Sequence, residues 1–148
     1  MDFPIKNKFI TELKENTFSD ITFDAIYIQS CFELKTIHIN AFNNTDSVST
    51  EIYIRSNPLL TSPDNSIFQV VSKFVRARVI DLSNNNQITE IPSNAFQDIV
   101  CEQDQLNYLL LSGESFGKLG NNAFSHLKNL INLDMSQTSI DFIPLKSV

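Results

Sequence analysis

Short apolar pairs, two residues apart, recur along the chain: Phe3/Ile5, Ile26/Ile28, Ile52/Ile54, Ile80/Leu82, Leu109/Leu111 and Leu133/Met135. Alternation of this kind predicts a strand with one face buried. Beyond each pair comes a further apolar anchor: Ile10, Leu34, Leu60, Ile88, Phe116 and Ile140. Five of the anchors are followed eight positions later by a phenylalanine: Phe18, Phe42, Phe68, Phe96 and Phe124. The intervals between these phenylalanines are 24, 26, 28 and 28 residues, a loose but sustained period. The phrase Asn-Ala-Phe closes the unit at Asn40–Phe42, Asn94–Phe96 and Asn122–Phe124, with weaker copies ending at Phe18 and Phe68.

Three residues past the pair stands Lys8, Cys31, Asn57, Asn85, Glu114 or Thr138. The unit is therefore L-x-L-x-x-N, a turn, L-x-x-L and a closing Phe. In this form the chain resembles the leucine-rich repeat family. Its repeat lengths and the IPSNAF phrase are most similar to extracellular members, such as Slit-type and Toll-type ectodomains. The resemblance extends to secreted arthropod leucine-rich proteins, which include a non-catalytic subunit of a luciferase. It implies an α/β solenoid of about six repeats, with a parallel concave sheet and an irregular or short-helical convex side. The repeats fall at about 1–22, 23–48, 49–76, 77–105, 106–129 and an incomplete 130–148, all in one domain.

No single unit can bury its own apolar stripe, so neighbours must stack. The five phenylalanines are then expected to form a spine behind the sheet. In the family, an Asn three residues past the strand pair bonds to backbone in the turn. Asn57 and Asn85 fit that role, Cys31 and Thr138 are tolerable substitutes, and Lys8 and Glu114 depart from it. Three middle repeats carry one extra residue between strand pair and anchor, so their turns are expected to bulge. Neither end has the cysteine-rich cap of extracellular members, and Val148 stands where a sixth spine residue belongs. Both features lead to the expectation of uncapped ends in a fragment of a longer protein.

Composition narrows the function classes. The chain has 148 residues, a net charge of −6 and a pI near 4.7, which sets aside nucleic acid and anionic membrane surfaces as partners. No apolar run reaches the roughly 18 residues of a membrane span, and the opening MDFPIKNKF lacks the apolar core of a secretory signal. His38 and His126 have no Cys or carboxylate at ligand spacing, which argues against a metal site. Without a G-x-S-x-G motif or a Gly-rich phosphate loop, nothing points to catalysis, and no cofactor is expected. Cys31 reads as a buried structural thiol. Cys101 stays open between a core thiol, a surface thiol and half of a bridge whose partner lies outside this chain. Asn43-Asn44-Thr45 is an N-glycosylation acceptor placed just past Phe42, on the outer side.

The informative surface is the exposed side of the strands. The middle residues of the six pairs are Pro4, Tyr27, Tyr53, Asp81, Leu110 and Asp134, with Arg55 two positions beyond Tyr53 on the same face. Tyr and Arg are enriched where proteins bind proteins. The expected site is thus Tyr27, Tyr53, Arg55, Asp81, Leu110 and Asp134, engaging a protein ligand in a secreted or cell-surface setting. The alternative function is a structural or non-catalytic subunit that stabilises an enzyme partner.

Overall fold

The computed structural model describes residues 2–45, 51–99, 106–113 and 115–144. Cys101 and Glu114 lie outside the described residues, as does the end at Val148. Six strands form one parallel sheet: β1 (Asp2–Ile5), β3 (Ala25–Gln29), β5 (Glu51–Arg55), β6 (Val79–Asp81), β8 (Tyr108–Leu110) and β10 (Asn132–Asp134). Interleaved with them in the chain are four two-residue strands, β2 (Glu12–Leu13), β4 (Thr36–Ile37), β7 (Glu90–Ile91) and β9 (Lys118–Leu119). These pair as β2–β4 and β7–β9 on the other side of the molecule. A seven-residue helix, α1 (Ser66–Ser72), occupies the outer part of the third repeat. The architecture is the leucine-rich-repeat-like solenoid that the spacing predicts. No helix among the described residues is long and apolar enough to cross a membrane.

The register follows the apolar pairs. Phe3, Ile26, Ile52, Ile80, Leu109 and Leu133 are aligned from strand to strand. Ile26, Ile28, Ile52, Ile54, Ile80, Leu82, Leu109 and Leu111 are fully enclosed, whereas Leu133 and Met135 in the last repeat are only partly covered. The spine also forms, with one change of partner. Phe18 stacks on Phe42 at 5.3 Å, Phe68 meets Phe96 at 5.7 Å, and Phe96 stacks on Phe124 at 6.0 Å. Across the remaining step Phe42 meets Phe74 at 5.6 Å, because the turn just past α1 carries a second ring into the third repeat.

Turn geometry explains the small polar residues of the repeat. Ser30, Ser56, Asn84, Gly113 and Gln137, each two residues past the strand pair, all have left-handed φ between 56° and 69°. Asn16, Asn94 and Asn122, two before the closing Phe, have φ of 57°, 56° and 55°. Asn tolerates this region better than most side chains, which accounts for two of the three Asn-Ala-Phe copies; Asn40 is not in this conformation. In the three repeats with an extra residue, the bulge takes the form of a closed turn. The N–H groups of Leu34, Leu60 and Ile88 donate to the carbonyls of Cys31, Asn57 and Asn85 at 3.1, 3.0 and 2.9 Å.

A polar ladder runs inside these turns. Cys31 Sγ donates to the Ile5 carbonyl at 3.5 Å, Asn57 Nδ2 to Ile28 at 3.0 Å, and Asn85 Nδ2 to Ile54 at 2.7 Å. In return, Asn57 Oδ1 accepts from the Cys31 N–H and Asn85 Oδ1 from the Asn57 N–H, both at 3.1 Å. Each side chain thereby satisfies buried backbone in the preceding repeat, which would otherwise cost free energy. Cys31 does serve in place of Asn, and its burial raises the pKa of the thiol. Thr138 differs, since its hydroxyl donates within its own repeat, to the Met135 carbonyl at 2.9 Å.

Candidate partner-binding face

The parallel register places Pro4, Tyr27, Tyr53, Asp81, Leu110 and Asp134 in one row across the sheet. Strand spacing of roughly 4.8 Å brings equivalent side chains within contact. Tyr27 and Tyr53 use it fully: their rings stack 4.9 Å apart and only 3° from parallel. Arg55, held by the period-two alternation on the same face, lies with its guanidinium 5.5 Å from the centre of the Tyr53 ring. Its Nε donates to Gln29 Oε1 at 3.2 Å, and its Nη1 pairs with Asp81 Oδ2 at 3.2 Å. Tyr27, Tyr53, Arg55 and Asp81 are therefore one connected group.

Asp81 needs correction. The spacing puts it on the exposed side of the strands, in the expected site, but its side chain is only 1% exposed. One carboxylate oxygen accepts from the Ser83 N–H at 2.9 Å and from the Ser83 hydroxyl, and the other faces Arg55. Ser83 is likewise buried. Asp81 is a positioning group for Arg55 and is not available to a partner. The Asp-x-Ser spacing recurs at Asp134 and Ser136, where it makes the same turn without the burial.

Asp134 shows the same turn in a more open setting. The Ser136 N–H donates to its Oδ1 at 2.9 Å. That bond, with further ones from the hydroxyls of Ser136 and Ser112, holds its carboxyl below the usual carboxylate range. Leu110 is half-buried between Asp81 and Asp134, beside the more exposed Tyr108. The row thus divides into an aromatic and cationic group on the early strands and a separate pair on the late ones.

Charge along the strands is polar in distribution. At the strand starts, Asp2 and Glu51 flank the tyrosines, and the Tyr53 hydroxyl donates to Glu51 Oε2 at 3.4 Å. Burial, then Glu51 and Asp2, push the Tyr27 phenol above its ordinary pKa, with Arg55 acting against them. Tyr53 is pushed up by burial and then by Glu51 and Tyr27. Both rings are accordingly neutral phenols at physiological pH, amphipathic and able to donate.

On the opposite side, the glycosylation acceptor is already engaged in local bonds. Asn43 Nδ2 donates to Asn16 Oδ1 at 3.3 Å, and the buried Thr45 hydroxyl donates to the Phe42 carbonyl at 2.6 Å.

No family model matches the chain. Among curated proteins it is similar to the Oplophorus-luciferin 2-monooxygenase non-catalytic subunit of Oplophorus gracilirostris. The two are 29% identical over 134 residues, which cover 90% of this chain and 34% of that protein. The chain spans about a third of the length of the relative it matches.

Proposed function

We propose that the chain is a non-enzymatic leucine-rich-repeat module, secreted or on a cell surface, that recognises a protein partner on its concave strand face. The observation that carries this reading is the Tyr27–Tyr53 stack with Arg55 over it, a preorganised aromatic and cationic group on the sheet's open side. Such a group presents large contact area at low side-chain entropy cost, as binding hot spots do. Leu110 and Asp134 extend the contact along the later strands. Asp81 contributes by holding Arg55.

The test is a site-specific photo-crosslinking scan in the protein's native secretion or extract. A crosslinker at Tyr53 or Leu110 is expected to capture a discrete partner, and one at Ser125 on the outer side to capture none. Capture from Ser125 alone would overturn the assignment.

A second reading, a subunit that stabilises an enzyme partner, is favoured by the name of the relative and by one observation here. Phe9 and Phe32 stand four residues past the strand pair in adjacent repeats and are 87% and 48% exposed. An exposed apolar row of this kind is a feature of obligate interfaces. Size-exclusion chromatography separates the readings: a recognition module elutes as a monomer, whereas an orphaned subunit self-associates.

A further inference from the structure

The outer ladder obeys one rule in four repeats. Three residues after the anchor stands a buried Leu13, Ile37, Ile91 or Leu119 in a short strand. Backbone N–H groups then reach back to the preceding repeat: Lys35 to Thr11 (2.8 Å), His38 to Leu13 (2.9 Å), Gly117 to Thr89 (3.0 Å) and Gly120 to Ile91 (2.7 Å). The third repeat begins in the same way, with Thr61 N–H donating to the Lys35 carbonyl at 2.8 Å. Pro63 then occupies the anchor-plus-three position, Asp64 takes a left-handed φ of 52°, and the chain turns into α1. The equivalent of the His38–Leu13 bond would run from Asp64 to the Ile37 carbonyl, and it is not formed. On the far side Pro92 follows Ile91, and a proline nitrogen has no hydrogen to donate across the gap. The ladder is left as two separate pairs.

Beside the first pair lies a hollow of about 410 Å³, bordered by Glu12–Glu15 and Thr36–Ile39 on one side and by Pro63, Asp64, Ser66 and Gln69 on the other. We propose that this hollow is a second recognition site, taking an extended peptide segment of a partner protein that carries a lysine or arginine. The peptide lies beside β4 as the strand that the third repeat does not supply. Strand addition of this kind uses an edge with an unclaimed backbone acceptor, here the Ile37 carbonyl. Ile39 and Pro63, over the buried Leu13 and Ile37, give the hollow apolar surface for one aliphatic side chain of the peptide. Its charges select the peptide's sign. Glu12, Glu15 and Asp64 line it against a single ammonium, and that one, Lys14, is paired with Glu12 at 3.3 Å. The site shares no residue with the strand face and does not depend on what that face binds.

The probe is a blocked pentapeptide alternating lysine and isoleucine, titrated into the full chain with amide chemical shifts recorded. Shifts are expected at Thr36–Ile39 and Ser66–Gln69. Methylating the central peptide nitrogen, or replacing lysine by glutamate, should weaken binding by about tenfold or more. Gln69→Trp, at an exposed position, should block the hollow without unfolding the chain. Glu15→Gln and Asp64→Asn should each weaken the lysine peptide, the latter keeping a side chain that accepts left-handed φ. Equal binding of the N-methylated or glutamate peptide would overturn the proposal. So would shifts confined to the Tyr27–Tyr53 face, or no shift at all at millimolar peptide.

Discussion

The two sides of this solenoid are built from the same repeat, yet one is continuous and the other broken. The six-stranded sheet runs unbroken, whereas the outer ladder is split into β2–β4 and β7–β9. The third repeat causes the difference and also shows its limits. Its strand residues Ile52 and Ile54 are fully enclosed like their neighbours, while Pro63 replaces the apolar residue that the outer ladder needs. Stacking between repeats is a nearest-neighbour property. One repeat can therefore keep its place in one ladder and leave the other. The two surfaces proposed for partners differ accordingly: one rests on uninterrupted register in the six-stranded sheet, the other on the interruption of the outer ladder.

Both sides lean on the phenylalanine spine, so its loss should have the largest effect. Phe96→Ala removes a ring that touches both Phe68 and Phe124 and should cost about 3–5 kcal/mol in chemical denaturation. A loss below about 1 kcal/mol would mean that the spine does not join the two sides. The next effect belongs to the continuous side alone. Asn85→Ala orphans the Asn57 N–H and the carbonyls of Ile54 and Leu82, and should cost about 1–3 kcal/mol. Thr138→Ala, in the half-covered last repeat, should cost less than about 1 kcal/mol. Equal costs would show that the internal ladder does not run from repeat to repeat.

Much of this was legible in the sequence, for a physical reason. Strand pairs at period two, in repeats that differ by only a few residues, can align in only one register without exposing Ile and Leu. All six pairs and the middle row therefore follow from spacing. What spacing cannot give is which polar residues turn toward each other. Asp81 and Ser83 are buried because Arg55, on the neighbouring strand, closes over them, and that contact is 26 residues away in sequence. Phe74 was missed as a spine ring because the repeat rule predicts one ring per unit. The hollow was readable in principle. LTSPDNSIF has proline where LKTIHINAF has isoleucine, and a proline there starts a turn in place of a ladder strand.

A smaller effect should appear at high pH, on the concave face only. The Tyr27 and Tyr53 pKa values are raised above 10.0 in the folded chain. Their contribution to stability is thus fully present below about pH 10 and is lost as pH rises through the folded values. Tyrosinate absorbance should show late-titrating phenols that Tyr27→Phe and Tyr53→Phe each remove. Ordinary titration of both in the folded protein would mean that the stack is open. Asp134 works in the opposite sense. Its depressed pKa gives a contribution present above the unfolded value of 3.8 and lost as pH falls through the folded one.

The functional difference between the two sides is tested most directly by the affinity of the Tyr27→Ala/Tyr53→Ala double variant for the partner captured from the concave face. Truncation forfeits the ring stack, worth about 0.5–1.5 kcal/mol beyond buried area, so the melting temperature should fall only modestly. Binding should weaken by more than about 2 kcal/mol, a loss of roughly thirtyfold. Gln69→Trp and Asn43→Gln, on the outer side, should leave that affinity unchanged. Normal binding by the folded double variant, with loss of binding in either outer-side variant, would contradict the assignment and move the principal site to the convex surface.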